Sequence, residues 1–209
     1  MMYSKFSTYS IFLTVGLSLA ILSGRLAAEC VQGDCHNGRG RDEQTLNGQV
    51  VEVYEGQWKD GFREGSGTVS AYTIGGVMYR RYSGSFHRGF YHGYGKEVFF
   101  ESNEQAESSY EGSFEYGHRS GRGVHVVYNA RGGVALRAEG IWQDNDLTGV
   151  VERFRLDGSI ASRFTGECQY VQRCEGQVTR FDRRGNEVSV ENGIFTDYFV
   201  NIPQDNIRR

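Results

Sequence analysis

The sequence predicts an all-β chain, an elongated single-layer antiparallel meander of repeated hairpins, and three observations carry that expectation. The first is a repeat of 28 residues: Gly56, Gly84, Gly112 and Gly140 are spaced by that step, as are Gly65, Gly93, Gly121 and Gly149. The second is that the same step carries Tyr54 to Tyr82 to Tyr110, and Trp58 to Phe86 to Phe114 to Trp142. The third is composition. Glycine supplies 29 of 209 residues, about twice the usual ~7%, against a single proline, Pro203, and 13 each of Tyr and Phe. Low-complexity disorder brings more proline and fewer aromatics, so these glycines are structural positions.

Each unit reads as two strands and two turns. Val51 to Trp58 alternates, with Tyr54, Gly56 and Trp58 on one face and Val51, Val53, Glu55 and Gln57 on the other, which is the two-residue period of a strand. Asp60-Gly61 then supplies a tight hairpin turn, followed one unit apart by Arg88-Gly89, Tyr116-Gly117 and Asp144-Asn145. The returning strand passes Gly65 and Gly67 and ends at Tyr72, whose counterparts by the same spacing are Phe100, Tyr128 and Leu156. Second turns fall at Gly75-Gly76, Ser102-Asn103-Glu104, Gly132-Gly133, Asp157-Gly158 and Arg184-Gly185. About a dozen strands follow, with an aromatic row on one face and glycines that leave room for rings against the backbone. No sustained 3.6-residue period lies outside the N-terminal segment, so little helix is expected.

The ends are assigned by composition. Lys5, the apolar run Ile11–Leu22 and the small residues Ala27 and Ala28 form a signal peptide over residues 1–28, with cleavage expected after Ala28. The apolar run is shorter than the roughly 20 residues a spanning helix needs. Retention as a membrane anchor and lipidation of Cys30 are the alternatives; against lipidation, Glu29 stands where a small residue is required before the cysteine. Cys30, Cys35, Cys168 and Cys174 form two sequence-local pairs, and an even count in an exported chain favours disulfides. Locality predicts Cys30–Cys35 and Cys168–Cys174, with three connectivities open on sequence alone. The expected divisions are therefore a signal peptide (1–28), an N-terminal cap and truncated repeat (29–53), regular repeats (54–151), degenerate repeats with a C-terminal cap (152–195) and a tail (196–209).

Three consecutive units carry a resemblance. Tyr54 to Gly67, Tyr82 to Gly95 and Tyr110 to Gly123 each read Y-x-G-x-[WF]-x-x-G-x-x-x-G-x-G, and this pattern resembles the MORN (membrane occupation and recognition nexus) repeat. Gly33 to Gly40 looks like the truncated first unit common at the start of exported bacterial MORN proteins. The unit at 138–151 departs by replacing the leading tyrosine and the final glycine. The unit from Phe164 has Cys168 at the aromatic position and an insertion before Gly176. The family's units are usually shorter, so this chain carries longer strands or tips. The resemblance implies an interaction module, working by self-association, protein binding or attachment to phospholipid surfaces.

Chemistry has little to stand on in the sequence. Loss of residues 1–28 removes Lys5 and Arg25 and no acid, moving the net charge from −3 to −5, which argues against nucleic acid as a partner. Arg80-Arg81, Arg183-Arg184 and Arg208-Arg209 read as solvated positions at strand edges. His87, His92 and His118 with Glu115 form a conceivable metal set, weighed against exposed turn residues. Ser66 and Ser120 are not in a nucleophile turn, Asp60 and Glu64 read as turn caps, and no phosphate-cradling loop precedes a helix. The expectation is a non-enzyme without cofactor or metal. It is an exported (periplasmic or secreted) scaffold binding a protein or envelope polymer through Tyr54, Trp58, Tyr82, Phe86, Tyr110, Phe114 and Trp142. The same rings must hold the sheet together. Membrane-surface attachment is the second reading, an envelope-acting enzyme the third, and exposed sheet edges offer a route to homo-oligomers.

Overall fold

The computed structural model describes residues 26–101, 105–169 and 173–196. The expected signal peptide lies outside them except for Leu26–Ala28, and so do Arg208-Arg209 and the tail beyond Thr196. Thirteen strands follow in chain order: β1 (Leu26–Gly33), β2 (Arg39–Leu46), β3 (Gln49–Lys59), β4 (Phe62–Tyr72), β5 (Met78–His87), β6 (Phe90–Phe100) and β7 (Ala106–Glu115), then β8 (His118–Tyr128), β9 (Val134–Gln143), β10 (Asp146–Phe154), β11 (Ile160–Gln169), β12 (Arg173–Phe181) and β13 (Glu187–Thr196). They form one antiparallel sheet in which each strand pairs only with its sequence neighbours, and no helix occurs among the described residues. β1 begins at Leu26, so cleavage after Ala28 shortens it to Glu29–Gly33 and leaves the pairing from Glu29↔Glu43 onward.

The turns explain why the chain folds back where it does. Asp60 and Gly61 both hold positive φ (51° and 76°), as do the residue pairs at the three following hairpin tips. Two consecutive left-handed residues give the turn whose twist matches the flanking strands. On the opposite margin, Gly76, Gly132, Gly158 and Gly185 take the left-handed position of longer turns, each donating its N–H to the carbonyl three residues back.

Register is set by glycine. The pairs Gly33↔Gly40, Gly40↔Gly56, Gly56↔Gly67, Gly67↔Gly84 and Gly84↔Gly95 begin a track. It continues through Gly112, Gly123, Gly140 and Gly149 to Gly166, Gly176 and Gly193. Every strand contributes one glycine, so the track crosses the whole sheet.

This ladder corrects two sequence alignments. Gly149 belongs with Gly67, Gly95 and Gly123, not with Gly65, Gly93 and Gly121. The latter three lie in bulged hairpins, where Gly93 takes φ +70° and the register shifts between Gly84 and Phe86. The fourth hairpin pairs Gly140 with Gly149 without a bulge. Two residues are therefore missing, and the final glycine of that unit is kept, two positions early. For the same reason the counterpart of Tyr72, Phe100 and Tyr128 is Phe154 rather than Leu156: each is the last residue of its strand.

Candidate functional site

The rings predicted as binding or structural residues are buried. Tyr54, Tyr82, Tyr110, Phe86, Phe114 and Trp142 belong to the core, with Trp58 packed against it as a partly buried neighbour. Each tyrosine lies across its own pair of ladder glycines, because a Cβ on Gly84 would stand 2.6 Å from Tyr82 Oη. Its hydroxyl donates to a carbonyl three residues on: Tyr54 to Gln57 O (2.8 Å), Tyr82 to Ser85 O (2.9 Å) and Tyr110 to Ser113 O (3.1 Å). Burial pushes the Tyr54 and Tyr110 hydroxyls up to about 12.

The other aromatic row meets these tyrosines edge to face. Tyr54 contacts Trp58 (5.3 Å) and Phe86 (5.0 Å); Tyr82 contacts Phe86 and Phe114 (5.2 Å each); Tyr110 contacts Phe114 (5.0 Å) and Trp142 (5.4 Å). A continuous herringbone of seven rings links four units. Each such pair is worth about 0.5–1.5 kcal/mol beyond area burial, so the row supplies the cohesion a one-layer sheet otherwise lacks. The rings' role in the fold is to be the core.

A third 28-residue position roofs the tyrosines, and the sequence reading missed it. Arg63 lies over Tyr54 (4.8 Å to the centroid), Tyr91 stacks on Tyr82 (3.7 Å, interplanar 3°) and Arg119 covers Tyr110 (4.6 Å). In the fourth unit Ala138 stands where tyrosine did, and Leu147 fills the space above Gly140. In the next hairpin Cys168 takes the aromatic place and Cys174 the roof place, paired across the strands and joined by a disulfide. Cys30–Cys35 forms the second bridge. Arg, Tyr, Arg and Leu share no chemistry, but their common spacing was the signal.

Charges alternate along the same face. Arg63 pairs with Asp42 (3.1 Å) and Glu52 (2.7 Å); Arg80 lies 3.9 Å from Glu52 and from Glu97; Arg119 lies 3.9 Å from Glu97. Arg80 is therefore a half-buried member of an internal ladder rather than a solvated edge residue, while Arg81 points to Ser70 on the other face. Burial pushes the Glu97 carboxyl above the usual range, outweighing Arg119 and Arg80. Burial likewise holds His125 down to about 3, and its Nδ1–H donates to Ser109 O (3.0 Å). A histidine lowered from 6.5 to about 3 binds its proton more readily in the unfolded chain, so its contribution to stability is lost as pH falls through that window. The stability deficit of His125→Phe, measured by urea unfolding, is accordingly expected to be largest near neutrality and to shrink toward the acid end.

Three exposed aromatic rings stand at the hairpin tips. Phe62 is 50%, Phe90 49% and Tyr116 56% exposed, with Phe90 and Tyr116 in contact at 6.2 Å. Turn-to-strand hydrogen bonds chain the tips together: Gly61 N–H to His36 O, Gly89 N–H to Arg63 O, Gly117 N–H to Tyr91 O and Asn145 N–H to Arg119 O, all 2.9–3.2 Å. Side chains add to this. Asn37 Oδ1 accepts the Asp60 N–H and Glu64 Oε2 the Arg88 N–H (both 2.9 Å), while Glu64 Oε1 meets His87 Nδ1 (3.0 Å). Glu64 thus caps the neighbouring hairpin's turn, not its own. His87 and His92 are 5.5 Å apart and His118 bonds Asn145; among the described residues no three His, Cys, Asp or Glu are grouped to hold a metal. On the opposite margin an open cleft of about 490 Å³ is lined by Arg41, Glu43, Tyr72 and Ile74 among others, and Arg41 is already engaged by Glu43 and Glu55.

Comparison with known proteins agrees with the geometry. No curated protein matches the chain. The MORN repeat family model matches residues 54–70, 82–102 and 110–126, each stretch opening on one of the three roofed tyrosines. Three matched repeats in constant register, on a single meandering sheet, make this chain a MORN-repeat protein.

Proposed function

We propose that the protein is a non-catalytic interaction scaffold of the exported space, binding an extended protein or polymer along its row of hairpin tips. The observation that carries this reading is the contrast between two sets of rings. Those facing the glycine ladder are consumed by the core, whereas Phe62, Phe90 and Tyr116 stand half exposed at hairpin tips whose turns are tied to the neighbouring hairpin. Successive hairpins are two strands wide, so equivalent tip residues recur about every 10 Å, a spacing suited to an extended partner. Exposed aromatic side chains are the residue types enriched at binding surfaces. Two disulfides suit an oxidising compartment.

The test is a triple substitution, Phe62→Ser, Phe90→Ser and Tyr116→Ser, compared with the parent protein in affinity purification from its native envelope. The variant is expected to keep its fold and lose the partners that the parent retains. Retention of the same partners would remove the tips from the account. Attachment to a membrane surface draws on the same rings, because aromatic side chains favour the headgroup region. Flotation with vesicles, with and without anionic lipid at low salt, separates the two: flotation of the parent protein, abolished by the triple substitution, favours the membrane reading.

A further inference from the structure

The face opposite the core carries a row of four side chains near the hairpin tips. Phe86, Tyr91 and Phe114 pack in the core and Arg63 roofs it. By strand alternation Glu64, His87, His92 and Glu115 therefore point to the other side. Register sets them in line. Gly65↔Phe86 puts Glu64 beside His87, His87↔Phe90 puts His92 on the diagonal from His87, and Gly93↔Phe114 puts His92 beside Glu115. Two imidazoles thus stand between two carboxylates, on β4, β5, β6 and β7 in turn.

The two histidines are held differently. Glu64 is fixed at both oxygens: Oε2 accepts the Arg88 N–H (2.9 Å) and Oε1 meets His87 Nδ1 (3.0 Å). A carboxylate on Nδ1 leaves Nε2 as the basic nitrogen, which is how metal-binding imidazoles are commonly oriented. His92 has no hydrogen-bond partner among the described residues, although its Nδ1 is shielded from water. Turning this ring toward an ion therefore breaks no hydrogen bond. Two of the remaining histidines are already engaged, His118 by Asn145 and His125 by Ser109 O.

We propose that His87 and His92 bind one divalent transition-metal ion of the zinc type through their imidazole nitrogens, with Glu64 orienting His87 from behind. The ring centroids are 5.5 Å apart and tilted by 52°. Two imidazoles on one tetrahedral ion, at Zn–N distances of about 2.0–2.1 Å, have centroids roughly 5 Å apart. Imidazole suits zinc, copper and nickel, whereas magnesium and calcium take oxygen ligands. Glu64 and Glu115 flank the pair with two negative charges, matching a divalent cation. The His87 side chain is 42% exposed, so an ion reaches it from solvent. Two protein ligands leave the other coordination positions to water, unlike a closed four-ligand structural site. His92 also lies 5.5 Å from Tyr116, so the ion sits beside the exposed rings of the tips.

Isothermal titration of the purified, chelator-treated protein with zinc chloride tests the site. One zinc per chain is expected, with a dissociation constant on the order of 10 μM. His87→Gln and His92→Gln should each weaken binding roughly tenfold or more. Glu64→Ala, acting through His87, should weaken it roughly tenfold, and Glu64→Gln, which keeps an acceptor for the His87 N–H, should recover most of that loss. His118→Gln should leave binding unchanged, and magnesium or calcium chloride should give none. Ring signals in NMR supply a second readout: zinc is expected to shift those of His87 and His92 and not that of His125. Absence of binding up to roughly 1 mM zinc, binding that persists when both His87 and His92 are glutamine, or binding lost with His118→Gln would each overturn the proposal.

Discussion

Tyr82→Ala is expected to destabilise the protein by about 3–5 kcal/mol, the cost of deleting a fully buried aromatic side chain. The magnitude follows from its position. Tyr82 is the central tyrosine of the herringbone, edge-on to Phe86 and Phe114 and stacked on Tyr91, so its loss unpacks two units at once. A two-layer protein can relax neighbours from the opposite layer into such a void. Here the residues over Tyr82 are the roof itself, and beyond them is solvent. Tyr82→Phe separates packing from hydrogen bonding, since only the bond to Ser85 O is lost; about 1 kcal/mol is expected. Urea unfolding measures both, and a Tyr82→Ala midpoint equal to that of Tyr82→Phe would refute the packing account.

Gly112→Val is the second large effect, expected at about 3 kcal/mol or more from overpacking alone. The first atom of the new side chain would lie 2.5 Å from Gly123 Cα and 2.6 Å from Arg122 O. Both are backbone atoms of the paired strand and cannot swing aside, while Tyr110 occupies the remaining space. The expected consequence is separation of β7 from β8 as well as loss of stability. Hydrogen exchange should therefore show protection lost on those strands first, and a uniform decrease across the sheet would not fit.

The extent to which these features were legible in the sequence follows from what each one depends on. The hairpins were legible because Asp60-Gly61 and its successors specify a turn locally. The family was legible because Tyr54, Gly56 and Trp58 recur in constant register. Both disulfides were legible because each joins cysteines five or six residues apart. The fourth unit was misaligned because counting by 28 assumes that every hairpin keeps its bulge, and the hairpin that ends in Gly149 does not. The roof was missed because Arg63, Tyr91, Arg119 and Leu147 are interchangeable in place but not in chemistry. Their shared task is to cover a ring or fill the space above a glycine pair, which long and apolar side chains can each do. Ring exposure was hardest to read. Phe86 and Phe90 are four residues apart and identical in type, yet one packs between two tyrosines and the other projects from a tip. Only the pairing of β5 with β6 distinguishes them.

That contrast is also the most direct test of the central claim, that the 28-residue period builds a core on one face and presents its surface at the tips. Phe86→Ser and Phe90→Ser should be compared by urea unfolding under one set of conditions. The account predicts a loss of about 3 kcal/mol or more for Phe86→Ser and a change within about 0.5 kcal/mol for Phe90→Ser. Similar midpoints for the two variants, or a Phe86→Ser protein as stable as its parent, would contradict it.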